Sequence, residues 1–154
     1  MKLSSPTINK AALDATDASS LCTEARIEQA LLAGDATGIK AANVSIEESV
    51  IERVLFIEAR LEKLSLGDVE LKACDLSAAR CSESSLIRVR FNGGRMTGVD
   101  FSRSTLKDVV FEDCKLDMVN FRFVKLTRVK FINCVLNEAD FQAAELKEVM
   151  FEGC

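Results

Sequence analysis

Apolar residues recur at every fifth position from Ile46 to Phe151, without a gap or a change of register. A second column lies two residues before each of them and holds mostly small side chains, such as Val99, Val119 and Cys134. The other three positions of each five are mostly charged or polar. Two inward residues separated by one outward residue is the alternation of a β-strand. The pattern therefore predicts units of five residues, each a short strand followed by a turn.

Units of this kind can coil, and four of them make a square turn of 20 residues. The 22 positions of the large column then predict about 5.5 coils, stacked as parallel strands about 4.8 Å apart in a rod of roughly 26 Å. The segments ADFQA (139–143), CDLSA (74–78) and VDFSR (99–103) resemble the pentapeptide repeat family. That resemblance covers about residues 44–154 and implies an all-β solenoid, a right-handed quadrilateral parallel β-helix.

Residues 20 apart should stack on the same side of such a coil. Phenylalanine and leucine alternate along the large column, so each type should build its own stacks. One side is predicted to hold Phe91, Phe111, Phe131 and Phe151, and the opposite side Phe101, Phe121 and Phe141.

The segment before the repeat reads SSLCTEARIEQALLAGD and predicts one amphipathic α-helix over residues 20–33. Ser20 is suited to cap its start and Gly34 to end it, with Glu24 in the first turns. Because a solenoid must cover its exposed ends, we expect this helix to be an N-terminal cap. The predicted organisation is a tail over residues 1–19, the cap helix and its connection over 20–43, and the β-helix over 44–154 without a C-terminal cap. Residues 1–15 are expected to be loose.

The repeat continues to the last residue, which would leave the final coil with unpaired backbone groups and exposed apolar side chains. We expect either that the chain is a fragment of a longer protein or that this end pairs with another chain. The second alternative predicts a homodimer through the uncapped C-terminal coil.

No catalytic set is visible, and the chain has no histidine for base chemistry or metal binding. Four of the six cysteines (Cys74, Cys114, Cys134 and Cys154) lie in the small column at multiples of 20 residues, so they should stack in one file. Packing, disulfide formation and metal or redox chemistry are all open interpretations, and packing is favoured because a single file without histidine does not suit zinc. We predict a protein that is not an enzyme and has no cofactor, no metal and no catalytic residue.

Charge bears on the best-known activity that the resemblance implies. Some family members are DNA mimics that bind DNA gyrase and protect it from quinolones, which requires negative charge along the rod. Residues 46–154 hold 19 acidic and 16 basic residues, and the column Asp68, Arg88, Asp108, Arg128, Glu148 alternates in sign. Gyrase binding is therefore the alternative rather than the favoured function. A basic stripe for direct nucleic-acid binding and an apolar run long enough for a membrane span are both missing. Because the cysteine spacing follows the repeat, the six cysteines fit a reducing cytosol at least as well as a disulfide framework, and we expect a cytoplasmic protein.

Several apolar residues fall on positions that should face outward. They form a possible protein-interaction surface consisting of Val110, Met118, Phe123, Ile132, Val135 and Met150. The favoured hypothesis is a non-catalytic protein-interaction or structural module whose protein partner is unknown.

Overall fold

Nine strands form one continuous parallel sheet that winds around an apolar core. The computed structural model describes all 154 residues, Met1–Cys154. The strands are β1 (Asp14–Asp17), β2 (Arg26–Glu28), β3 (Ala30–Ala33), β4 (Ser45–Glu52), β5 (Ser65–Lys72), β6 (Ser85–Asn92), β7 (Thr105–Glu112), β8 (Lys125–Ile132) and β9 (Glu145–Glu152). The sheet runs in the order β1-β3-β4-β5-β6-β7-β8-β9, and β2 pairs with β4. The molecule is an all-β parallel solenoid of about seven turns.

The 20-residue register predicted from the sequence is confirmed from β4 onward. Each of β4 to β9 covers two sides of the square coil, and Leu66, Leu86 and Leu106 lie directly over one another. The other two sides consist of β-turns joined from coil to coil by single bridges, such as Asp75 to Arg95 and Arg80 to Asp100.

The turns explain why aspartate precedes the large residue in the three quoted motifs. In CDLSA, the Ala79 N–H donates to the carbonyl of Leu76 at 2.9 Å, and Ala78 has a φ of 56°. A positive φ at the third residue is the mark of a type II turn. The Asp75 carboxylate accepts the N–H of Ser77 at 2.9 Å, and the aspartates of the other two motifs do the same. The side chain thus satisfies a turn N–H that would otherwise lack a protein partner.

The two predicted phenylalanine stacks are confirmed. Successive rings on one side have centroids 4.7, 5.0 and 4.9 Å apart and nearly parallel planes. On the other side the spacings are 5.8 and 5.2 Å. The two stacks meet edge to face across the core at 5.9–6.5 Å, an arrangement that aromatic rings favour. The earlier coils are filled mostly by aliphatic side chains.

The predicted N-terminal cap helix is wrong. A short 3₁₀ turn (Ala18–Ser20) ends where the helix was expected to begin, and β2 and β3 follow it. The solenoid therefore begins before residue 44, where the sequence pattern placed its start. Ile27 lies beneath Ile46 and Leu32 beneath Ile51, which places both in the large column with a register shifted by one residue. Glu24 and Gln29 have φ of 66° and 50°, values that a right-handed α-helix excludes.

The first nine residues lie along the outside of the coils. A loose tail was expected here, but the backbone of Ser4 contacts Asp108 and the backbone of Thr7 contacts Asp68. A 3₁₀ turn (Lys10–Ala12) then leads into β1, which pairs with β3. We call residues 1–9 the strap.

Candidate interaction surfaces

The corners of the solenoid present many of the side chains that are available for contacts. The last residue of each five-residue unit lies at a corner in the left-handed conformation. Corner residues of successive coils are stacked in four columns along the rod. One of them, which we call the Asp–Arg column, consists of Glu48, Asp68, Arg88, Asp108, Arg128 and Glu148.

Two ion pairs occupy the middle of the Asp–Arg column. Arg88 donates from Nε and Nη2 to the two oxygens of Asp68 at 2.7 and 2.8 Å. Arg128 holds Asp108 in the same way, at 2.7 and 3.0 Å. Bidentate guanidinium–carboxylate pairs fix both side chains in one geometry. The sign alternation noted in the sequence therefore produces two rigid, oriented carboxylates two coils apart.

These pairs shift the titration of their members. The hydrogen bond from Arg88 lowers the pKa of Asp68 below its ordinary value of 3.8, against an opposing effect of burial. The hydrogen bond from Arg128 lowers the pKa of Asp108 likewise, again opposed by burial. The aspartate partner raises the pKa of each arginine. Both carboxylates are thus held in the charged, hydrogen-bond-accepting form.

The strap covers this part of the column. The Thr7 N–H donates to Asp68 Oδ1 at 3.1 Å and the Ser4 N–H to Asp108 Oδ1 at 3.4 Å. Lys10, just beyond the strap, forms an ion pair with Glu70 at 3.4 Å. Asp108 is left with 6% of its surface exposed and is the one buried charged residue of the chain.

Charged residues lie between several of the predicted apolar surface residues. Val110 and Met150 share a column, but Lys130 lies between them. Ile132 lies between Glu112 and Glu152, and Val135 is next to Lys115.

Phe123 and Met118 lie on two further corners. Phe123 is 48% exposed, and the guanidinium of Arg103, one coil earlier, lies 5.1 Å from its ring centroid. Met118 is 54% exposed. Most of the predicted surface residues therefore have a charged neighbour in an adjacent coil.

The last coil exposes the large column at the end of the rod. β9 pairs with β8 on one side alone, and Leu146 and Phe151 are 50% and 48% exposed. In all earlier coils of the repeat the same positions are buried or half-buried. This coil combines apolar side chains with unpaired backbone groups, as expected from the sequence.

The cysteines of the small column pack against backbone carbonyls. The Cys134 thiol lies 3.3 Å from the carbonyl of Phe111 in the previous coil, and Cys74 lies 3.4 Å from that of Ile51. All six cysteines are free thiols. Sulfur in this column thus offers a backbone carbonyl of the previous coil a weak donor, which a valine at the same position cannot supply.

The interior offers no place for polar chemistry. A cavity of about 20 Å³ lies among the aliphatic coils, and its 12 lining residues are all hydrophobic. No group of three or more His, Cys, Asp or Glu side chains could hold a metal ion. No helix has the length and apolar character that a membrane crossing requires.

Sequence reasoning missed the covered part of the Asp–Arg column. The alternating charges are visible in the sequence, but nothing in the pattern shows that another segment covers them. The strap has no strand or helix pattern that would place it there. Its half-buried residues are Leu3, Pro6 and Ile8.

Comparisons with known proteins agree with this geometry. The family model described as "Pentapeptide repeat region" matches residues 44–121 and 64–141. No curated protein is significantly similar to the chain. The crystal structure of the pentapeptide repeat protein Rfr23 from the cyanobacterium Cyanothece 51142 superposes with a TM-score of 0.53 at 16% identity, covering 76% of this chain and 90% of that one.

Two further solved structures are similar to a lesser degree. Trypsin-treated QnrB1, a plasmid-mediated fluoroquinolone resistance protein, has a TM-score of 0.46 at 18% identity. The superposed part covers 84% of this chain and 73% of the QnrB1 chain. HetL, involved in heterocyst differentiation regulation in the cyanobacterium Nostoc sp. strain PCC 7120, has a TM-score of 0.30 at 15% identity, with coverages of 90% and 87%.

Proposed function

Since the chain belongs to the pentapeptide repeat family, we propose that it is a non-catalytic module that binds other proteins through its outer surface. The supporting observation is that large apolar side chains are exposed at outward positions, which the repeat does not require to be apolar. Met118, Phe123, Val135 and Met150 are each at least 40% exposed. Exposed aromatic and methionine side chains are enriched at protein–protein interfaces. The free thiols suit a reducing compartment such as the cytoplasm.

The test is a capture experiment with the purified protein and surface variants. Phe123→Glu and Val135→Glu should each abolish capture of a partner that the wild type retains. Ala78→Glu is the matched control, because Ala78 is an exposed corner residue without apolar bulk. A partner retained equally by all variants would contradict binding through these residues. A catalytic turnover that a surface substitution abolishes would contradict the non-catalytic assignment.

A second candidate is self-association through the last coil. The supporting observation is the exposure of Leu146 and Phe151 beside the unpaired edge of β9. Sedimentation at rising concentration should show a dimer, and Phe151→Asp should shift it to the monomer. A wild type that stays monomeric at high concentration would exclude this association.

Binding to DNA gyrase is the alternative, and charge argues against it. A DNA mimic presents unbalanced negative charge, whereas Asp68 and Asp108 are each held by an arginine. Loss of gyrase supercoiling activity at micromolar protein would favour the alternative. We expect no effect.

A further inference from the structure

The strap lies on the Asp–Arg column in a repeating register. Two of its backbone N–H groups, at Ser4 and Thr7, donate to Asp108 and Asp68. The donors are three residues apart along the strap, and the acceptors are two coils apart along the rod. An advance of three residues along the strap thus corresponds to an advance of two coils along the column, from one aspartate to the next.

These two spacings are nearly equal for a simple physical reason. Two coils span about 9.6 Å at the usual strand separation. Three residues of a polyproline II helix span about 9.3 Å, and this helix has three residues per turn. Leu3, Pro6 and Ile8 are the half-buried residues of the strap, and the first two are also three residues apart. An extended segment with this period therefore turns the same side to the column at every second coil.

The strap is suited to such a conformation. Pro6 restricts its own φ to the polyproline II range, and its missing N–H is not needed because the bonds come from Ser4 and Thr7. The column contributes carboxylates whose orientation the two arginines fix. Neither the strap nor the Asp–Arg column therefore loses much conformational freedom when the contact forms.

The two hydrogen bonds of the strap do not depend on the side chains of Ser4 and Thr7. The strap belongs to no strand, and its bonds to the coils are made by backbone N–H groups, so other sequences can make the same bonds. We propose that the Asp68–Arg88–Asp108–Arg128 surface is a docking site for an extended, proline-containing peptide segment of a partner protein, and that the strap occupies it as an exchangeable internal ligand. The proposal rests on the proposed protein-binding function.

The test uses full-length protein and a fluorescent peptide, MKLSSPTINK, that reproduces residues 1–10. The double variant Ser4→Pro/Thr7→Pro removes both donor N–H groups from the strap while preserving an extended chain. Fluorescence anisotropy should show that the peptide binds the double variant at least about tenfold more tightly than it binds the wild type. In the wild type the strap occupies the site, so only a small fraction of the molecules can bind the peptide. Ser5→Pro is the matched control. Its N–H makes no such contact, so its affinity for the peptide should equal that of the wild type.

Two further arms place the peptide on the column. Adding Asp108→Ala to the double variant should abolish peptide binding, whereas adding Asp113→Ala should not. Asp113 is an exposed corner residue of the next column in the same coil. A peptide with proline in place of the serine and threonine equivalent to Ser4 and Thr7 should not bind the double variant. This arm does not depend on the folding of any further variant.

Absence of peptide binding to the double variant at millimolar concentration would overturn the docking site. Binding that is equal for the wild type and the double variant, or unchanged by Asp108→Ala, would do the same. None of these results would affect the proposed function, which the Phe123 and Val135 variants test on other surfaces.

Discussion

At the scale of single residues, the corner conformation is the least usual feature of the chain. All 24 corner positions from Gly38 to Gly153 have positive φ, and only four of them hold glycine. The left-handed conformation costs about 1–2 kcal/mol for other residues. The cost is offset by bonds between coils, such as that from the Ala78 N–H to the carbonyl of Thr97 at 2.9 Å.

Two adjacent alanines allow this cost to be measured. Ala78 is an exposed corner residue with a φ of 56°, whereas its neighbour Ala79 is buried and is not left-handed. Ala78→Gly should raise the free energy of unfolding by about 0.5–1 kcal/mol, since relief of the left-handed cost exceeds the larger loss of backbone entropy that glycine brings. Ala79→Gly should lower it by at least about 0.5–1 kcal/mol. Urea denaturation measures both, and equal signs for the two variants would show that the corner is not strained.

Thiol reactivity should separate the cysteines into two classes. Burial raises the pKa of Cys74 to about 11 and that of Cys81 to about 12, and the thiolate is the reactive form. Cys22 and Cys154 are exposed. Cys114 and Cys134 are also buried, which keeps the reagent away from their thiols. An Ellman titration of the native protein should therefore show two fast thiols, with the other four reacting after addition of denaturant. Fast reaction of Cys81 in the native protein would contradict its place in the core.

At the scale of elements, successive coils place their inward residues in the same arrangement. Phe121 shows what one large position contributes, because its ring stacks on Phe101 and Phe141 and meets Phe111 and Phe131 by its edge. Such a ring contributes both buried area and aromatic geometry. The core is therefore expected to be most sensitive in the middle of these stacks.

Two phenylalanines, one residue apart on either side of Arg122, test this expectation. Phe121 is fully buried, whereas Phe123 is 48% exposed and contacts the Arg103 guanidinium. Phe121→Ala should lower the free energy of unfolding by about 3–5 kcal/mol. Phe123→Ala should cost about 0.5–1 kcal/mol, the usual value of an exposed cation–π contact. Similar costs in urea denaturation would mean that the inward register is wrong.

The elements that follow the five-residue period could be predicted from the sequence, and those that depart from it could not. From Ile46 onward, one large residue per unit specifies the strand, the turn and the stack together. Before that point, Ala36 and Ala41 are buried in the large column but are too small to reveal it. Leu32 precedes Ala36 by four residues rather than five, and this shortened step made two strands resemble one amphipathic helix.

At the scale of the whole molecule, the strap joins coils that are not neighbours. A solenoid is normally stabilised by contacts between adjacent repeats. The strap instead connects the N-terminal coil to the coils of Asp68 and Asp108, across 104 residues of sequence in the case of Ser4. It could not be predicted from the sequence, because backbone N–H groups make the bonds and these donors are common to almost every residue.

The column should make stability depend on pH in the acid range. The pKa of Asp108 is lowered in the folded protein, so its contribution is fully present above the ordinary value of 3.8 and is lost as the pH falls through the lowered pKa. Asp108→Asn should lower the free energy of unfolding by about 1–3 kcal/mol at pH 7, the usual range for bonds to charged groups. The difference from the wild type should shrink below pH 3.8.

Urea denaturation from pH 7 to pH 2 measures this dependence. Asp113→Asn is the control on the neighbouring corner, and it should change the free energy of unfolding by less than about 0.5 kcal/mol at pH 7. A difference between the wild type and Asp108→Asn that stays constant down to pH 2 would contradict the assigned role of the Asp108 carboxylate.

The strap also limits how the chain can gain or lose length in evolution. Solenoids change length by duplication or deletion of whole coils, and one further coil between Asp68 and Asp108 would separate these carboxylates by about 4.8 Å more. The three residues from Ser4 to Thr7 already span almost their full reach of about 10 Å, so the strap could not follow. A coil duplicated after Arg128 would leave both bonds intact. Length variation among homologous chains that keep the strap should therefore fall outside the segment that it spans.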